Sequence, residues 1–185
     1  MGSPKALLRT PERRPFVAAI VRALAAAGVR DMAIVTGRDH DRIVEAVRGD
    51  EPPVVPAFAR NPDPSRGQLS SLWVGMDAVV GPATGGLIVT LVDVPLLDPR
   101  IIAQVIDVWR RTRAPVVRPA LGDRHGHPVV FDRAVFDELR QAPLAEGAKA
   151  VVRAHADAVV NVPVDDDGCL VDVDTPSDYD ALGRR

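Results

Sequence analysis

The sequence predicts an α/β fold with a mostly parallel sheet covered by helices on both faces. Three observations predict it. Apolar runs of strand length alternate with stretches of helical periodicity along the chain. The strongest run, Leu87-Ile88-Val89-Thr90-Leu91-Val92, is apolar on both faces, as a strand in the middle of a parallel sheet must be. The 17 prolines and 14 glycines fall mostly between these segments, so the elements are short and sharply ended. Right-handed crossovers in such a sheet gather the loops after the strand C-termini on one edge, where ligands bind.

The elements follow in order. Residues 15–27 read as a helix, with Phe16, Ile20, Val21 and Leu24 at helical spacing, Pro15 in the first turn and Gly28 as the stop. Met32 to Thr36 is a buried strand ending at Gly37. His40 to Val47 is a helix with Ile43, Val44 and Val47 on one face. Val54-Val55 marks a short strand, Arg60 to Gly67 a polar loop, and residues 69–80 a helix ended by Gly81-Pro82. After strand 87–92, Asp98-Pro99 supplies an N-cap and a first-turn proline for a helix to Arg111. Strands follow at Pro115–Pro119, Val129–Phe131 and Ala158–Val162, with helices over Asp132–Leu139 and Glu146–His155. Thr175-Pro176-Ser177-Asp178 caps a last helix to Leu182.

The 185 residues suffice for one α/β domain, and no repeat or linker divides residues 1–185. A net charge of -2 gives no basic footprint for nucleic acid. The single cysteine, Cys169, excludes an internal disulfide and a thiolate metal cluster, and fits a reducing cytosol. No apolar run approaches the ~20 residues of a membrane helix. The opening MGSPKALLRTPERR has no apolar core of a signal peptide. A cytoplasmic protein that binds neither nucleic acid nor membrane is expected.

Asp93 stands where the strongest strand ends, at the ligand edge. A carboxylate is costly to bury there unless it is paired or binds a metal, and a turn residue fits the position equally well. Asp172 and Asp174 lie two apart in an extended segment, so their carboxylates share a face. One of them with Asp93 would satisfy magnesium, which takes one or two carboxylates plus phosphates and water. A plain helix cap is the other reading of that pair. Lys5 follows a Gly-Ser-Pro turn and can reach a phosphate as a mobile charge, or simply lie solvated. Gly67-Gln68-Leu69-Ser70-Ser71 feeds a helix N-terminus lined with hydroxyls, after the Asn61-Pro62 turn. In His125-Gly126-His127-Pro128 the histidines lack a nearby third metal ligand, so a loop placing a histidine over substrate fits better. Glu146-Gly147-Ala148-Lys149 reads only as a helix start.

These motifs stand in one order: Met-Gly-x-Pro-Lys, Val-Thr-Gly, Asn-Pro, Gly-x-x-Ser-Ser-Leu, Asp-x-Pro, Gly-His-Pro-Val, Glu-Gly-Ala-Lys and Asp-x-Asp-Thr-Pro. In that order the chain resembles the MobA-like NTP transferase family, most closely its molybdenum-cofactor cytidylyltransferase branch. The resemblance implies a Rossmann-like, three-layer αβα fold of the GT-A type. It implies that Lys5 contacts substrate phosphates, with Thr36, Gly37, Asn61, Gly67 and Ser71 around the nucleotide. It implies that Asp93 and Asp174, with Asp172, hold Mg2+, and that His127 and Pro128 lie near the acceptor. The implied reaction moves CMP from CTP to the phosphate of molybdopterin, releasing pyrophosphate. Guanylyl transfer from GTP, or transfer to another phosphorylated acceptor, is the neighbouring alternative. A non-catalytic cofactor carrier that docks on a molybdoenzyme is the alternative from another class.

The resembled family opens with an apolar strand and the loop Leu-Ala-Ala-Gly-x-Ser-x-Arg before Met-Gly-x-Pro-Lys, and this sequence begins at that Met. The expectation is a missing first strand, an unpaired gap beside strands 32–36 and 87–92, and poor activity of the chain as it stands. A start codon assigned too late, or else a genuine truncation, would account for it; the first idea, which is favoured because the downstream motifs are intact, fails if no Leu-Ala-Ala-Gly lies upstream in frame.

Overall fold

A computed structural model describes residues 4–183. Met1, Gly2 and Ser3 of the opening motif lie outside the described residues. The chain runs α1 (Phe16–Ala26), β1 (Ala33–Thr36), α2 (His40–Gly49), β2 (Ala57–Arg60), α3 (Gln68–Val79) and β3 (Gly86–Val89). It continues through α4 (Pro99–Thr112), β4 (Val116–Leu121), β5 (Arg124–His125), β6 (Val129–Asp132), α5 (Phe136–Gln141), α6 (Lys149–Ala154), β7 (Val159–Pro163) and α7 (Pro176–Leu182).

The sheet separates two cores, because neighbouring strand residues point to opposite faces. Val117, Val130 and Val162 pack with Ile20 and Ala23 of α1 and with Ile101, Ile102 and Val105 of α4. One residue away in β4 and β6, Val116 and Phe131 pack instead with Leu69 and Met76 of α3, Leu139 of α5 and Val151 of α6. Helices cover both faces, as expected for three αβα layers.

Strand pairing is more mixed than the sequence suggests. β1 pairs with β2 and β4 with β7 in parallel; β3 with β6, and β4 with both β5 and β6, are antiparallel. The five ladders fall into two separate sheets. Between the facing edges of β1 and β3 no ladder forms among the described residues. A cavity of about 1810 Å³ opens there, lined by residues 33–36 of β1 and by the stretch from Leu87 to Asp93. This is the gap expected beside those two strands. With β6 ending its ladder at Val129 opposite Val89, the residues 90–92 lose their strand partners, so β3 stops three residues short of the apolar run.

Several boundaries differ from the sequence reading. Val54-Val55 is not a strand: Val55 is 71% exposed. The strand lies three residues later, where the Ala57 amide donates to the Met32 carbonyl and sets the register of β2 on β1. The helix expected over 146–155 is confined to α6, and the one over 132–139 begins as a 3-10 turn at Arg133–Val135 before α5. The caps stand as expected. Asp98 accepts from the Arg100 amide and Pro99 opens α4, while Thr175 and Asp178 form a capping box on α7.

Candidate active site

The residue that ends the strongest apolar run is also the hinge of the site. Asp93 follows β3, and its carbonyl accepts from the Val173 amide at 2.8 Å. That bond lays the segment 172–174 beside Asp93. Val173 is fully buried and points to a small core with Phe16 and Leu182, so Asp172 and Asp174 turn outward together. The shared face expected from their spacing is therefore real.

Lys5 reaches this acidic group from the start of the chain. Its Nζ donates to Asp174 Oδ1 at 2.5 Å and stands 4.0 Å from Asp93 Oδ2. The hydrogen bond that Lys5 donates to Asp174 raises the lysine pKa, against the lowering effect of burial. Burial pushes the Asp93 carboxyl above the ordinary carboxylate range; Lys5 pulls it down, and the charges of Asp172 and Asp174 push it up again. One oxygen of Asp93, Oδ1, is buried without a hydrogen-bond partner. An unsatisfied buried acceptor costs about 1–3 kcal/mol, so a cation at this point would remove a standing penalty.

The residues around Asp93 fit a divalent ion of the magnesium kind. Among the described residues no group of three or more His, Cys, Asp or Glu is placed to hold a metal ion by itself. Magnesium does not need one, since it keeps waters and substrate phosphates and takes only one or two carboxylates. Asp93 with Asp174 or Asp172 meets that requirement.

The nucleotide-side candidates divide into two kinds. Gly37, Ser71 and Thr36 line the cavity. Thr36 is buried and its hydroxyl is shared with His40 Nδ1 at 2.6 Å and the Ala59 carbonyl. Gly67 adopts φ 89°, a left-handed conformation that favours glycine, and caps α3. Asn61 is buried and faces inward. Its amide nitrogen donates to Ser70 Oγ at 2.9 Å and Ser71 Oγ at 3.0 Å, and its Oδ1 accepts from the Asp63 amide. Asn61 thus brackets the start of α3 to the loop before it. Asn61→Ala removes three bonds from a buried site and is expected to cost about 1–3 kcal/mol of stability, measured by urea unfolding. Unchanged unfolding would show that this bracket contributes nothing.

His127 closes the other side. Its amide donates to the Cys169 carbonyl at 2.9 Å, and the His127–Pro128 peptide is cis. Burial lowers the imidazole pKa and so favours the neutral ring, opposed by Asp172 and Asp93. Pro128 itself is buried. Lys5, Asp93, Asp172, Asp174 and His127 are thus brought together, although 169 residues separate Lys5 from Asp174. Within its His-Gly-His-Pro motif the sequence gives no separate role to Gly126, whose added Cβ would meet the Cys169 carbonyl at 2.2 Å, and it does not single out Arg118 on the cavity wall.

The layers and the lysine–carboxylate cluster at the strand ends define a GT-A-like nucleotidyltransferase fold. The chain belongs to the MobA-like NTP transferase domain family, whose model matches residues 1–159. The crystal structure of Rv0371c from Mycobacterium tuberculosis H37Rv is similar, at 26% identity and a TM-score of 0.80, covering 100% of this chain and 91% of that one. The same protein solved with manganese gives 27% identity and a TM-score of 0.75, over 100% and 94% of the two chains. Molybdopterin-guanine dinucleotide biosynthesis protein A from Archaeoglobus fulgidus shares the fold, at 16% identity and a TM-score of 0.67, over 99% and 90%. The bifunctional protein GlmU of Mycobacterium avium is 30% identical over 163 residues, 83% of this chain and 32% of GlmU. The chain thus spans about a third of the length of the curated relatives it matches. No helix among the described residues is long and apolar enough to cross a membrane.

Proposed function

We propose that this protein transfers CMP from CTP to the phosphate of molybdopterin and releases pyrophosphate, in the cytoplasm and with Mg2+. The observation that carries the reading is the Lys5–Asp93–Asp174 cluster with its unsatisfied buried Asp93 oxygen. A divalent ion held by Asp93 and Asp174, with Asp172 beside them, would neutralise charge on the triphosphate and on the leaving pyrophosphate. Lys5 would exchange Asp174 for a phosphate oxygen, since its ammonium is already directed into the cluster. Ser71 and Gly37 line the nucleotide side, and Asn61, Gly67 and Thr36 hold that wall in place. His127 and Pro128 face the acceptor.

The reaction needs no general base. An anionic oxygen of the acceptor phosphate attacks the α-phosphorus, the new P–O bond forms, and the bond to pyrophosphate breaks with its electron pair on the leaving oxygen. Alignment and charge neutralisation supply the catalysis, which suits a site with acids and a lysine but no activated nucleophile. The choice of CTP and molybdopterin rests on the motif order, and the manganese complex of Rv0371c supports a divalent ion.

The test is pyrophosphate release from CTP and from GTP with Mg2+ and molybdopterin. CTP is expected to be preferred. Preference for GTP would move the protein to guanylyl transfer. Calorimetry adds the second arm: a pure cofactor carrier, docking on a molybdoenzyme, would show no metal-dependent nucleotide binding, and that result would end the transferase reading.

A further inference from the structure

The acceptor side of the cavity carries a second charged group, opposite in sign to the Asp93 cluster. In β4, Val116 faces the core formed with α6, and Arg118, two residues on, must share that face. His125 of β5 lies directly across from Ala120 and so stands on the same face, diagonal to Arg118. The charge of Arg118 acts on His125, and the charge of Lys149 acts on His127. Lys149 opens α6, whose Val151 and Val152 pack into the same core. All four side chains line the cavity that also holds Asp93, Asp172 and Asp174.

The cations here are not neutralised. Arg118 is half-buried, its Nε donates to Asn161 Oδ1 at 2.9 Å, and burial lowers its pKa with no carboxylate offsetting the effect. Among the described residues neither Arg118 nor Lys149 forms an ion pair, whereas Arg153 on the same cavity is paired with Glu146. Holding a guanidinium half out of water without a counter-charge is unfavourable, and an anion in the cavity would repay it. The segment that carries the two histidines is also fixed: Gly126 sits against the Cys169 carbonyl with no room for a side chain.

We propose that Arg118 and Lys149, bracketing His125 and His127, form a subsite that binds a phosphate monoester group on the acceptor substrate. The claim deepens the transferase reading and rests on it for the word acceptor. Arg118 supplies the planar fork that fits a phosphate, Lys149 a second positive charge, and the two imidazoles N–H donors. The Asp93 and Asp172 carboxylates, whose charges act on His127, repel the same group away from themselves and toward Arg118 and Lys149. A phosphate therefore settles on this wall, facing the nucleotide rather than replacing it.

The probe is phenyl phosphate, titrated calorimetrically into metal-free protein. Arg118→Gln and Lys149→Gln are each expected to weaken binding about five- to tenfold, the value of one charge-assisted hydrogen bond at a partly solvated site. Lys5→Gln is expected to leave it unchanged. Lys149 is exposed, so its variant keeps the fold whatever happens at Arg118. The reverse pattern, loss with Lys5→Gln alone, overturns the proposal. So does equally tight benzoate binding with the same residue dependence, which would make the site one for carboxylates. If phenyl phosphate fails to bind a protein that takes up Mn·CTP, the subsite is wrong and nucleotide transfer stands. If Mn·CTP fails to bind while phenyl phosphate still depends on Arg118 and Lys149, the subsite stands and nucleotide transfer falls.

Discussion

Asp93→Ala is expected to lower metal-dependent pyrophosphate release by about a thousandfold, the scale of losing a Lewis-acid contact on the reacting phosphate. The fold is expected to survive. The Asp93 carboxylate is held out of water with Oδ1 unpaired, so its removal relieves a penalty in the metal-free protein. The pH dependence follows the same reasoning. Burial raises the folded-state pKa of Asp93 above its unfolded value. An acid shifted this way favours the folded state when protonated, and that contribution is lost as pH rises from the ordinary carboxylate value through the raised one. At neutral pH the metal-free protein carries the full cost of the buried charge. Mn2+ or Mg2+ should therefore raise the melting temperature most at neutral pH, and progressively less as pH falls through the raised Asp93 pKa. Asp93→Asn should melt no lower than the parent at neutral pH without metal and show no metal-induced rise. Substantial turnover in Asp93→Ala, or a metal effect that survives in Asp93→Asn, would remove Asp93 from the metal site.

That expectation began with one residue read from the sequence, and the reason it was readable is physical. A carboxylate closing an apolar run has few inexpensive places to go, so Asp93 stood out before any contact was known. The helix caps at Asp98 and Thr175 were legible for a similar reason, since each is decided by neighbours within four residues. What depended on distant partners was not legible. β2 was misplaced because Val54-Val55 has the stronger strand propensity, while the real strand is chosen by hydrogen bonds to β1. The individual pairings are hidden for the same reason: alternation of elements does not say which neighbour a strand takes, and β6 inserts between β3 and β4 in the opposite direction. The sequence places Asn61 beside the nucleotide, and the structure adds that both its amide groups are engaged within the protein. The residue keeps a role in shaping that wall, which no local pattern reveals. Arg118 did leave a signal. A charge in the middle of Val116-Val117-Arg118-Pro119-Ala120 contradicts its apolar surroundings, and such a contradiction marks either a pairing or a ligand site.

Gly126→Ala is expected to be the most damaging single methyl in the chain for both stability and acceptor binding. An added Cβ would stand 2.2 Å from the Cys169 carbonyl oxygen and 2.9 Å from its carbon. These are backbone atoms, so no side chain can swing away to make room. The contact is held from both sides, because the Gly126 amide donates to the Pro119 carbonyl and the His127 amide to the Cys169 carbonyl. Relief requires separating the His125–Pro128 segment from the Cys169–Leu170 turn, which breaks the second bond and shifts His127 away from Asp93 and Asp172. Overpacking of this kind costs about 1–3 kcal/mol, and a backbone clash with a broken hydrogen bond belongs at the upper end. Urea unfolding should show that loss. Activity separates the two consequences: at a temperature where the variant is fully folded, KM for the acceptor should rise while nucleotide affinity holds. A comparable rise in both constants would mean that the contact supports the whole cavity and not the acceptor wall alone. Gly86→Ala provides the contrast. Its Cβ would meet the Trp109 ring at 2.4 Å, at the start of β3 and away from its Asp93 end, and is expected to lower stability while leaving both constants unchanged in the folded fraction.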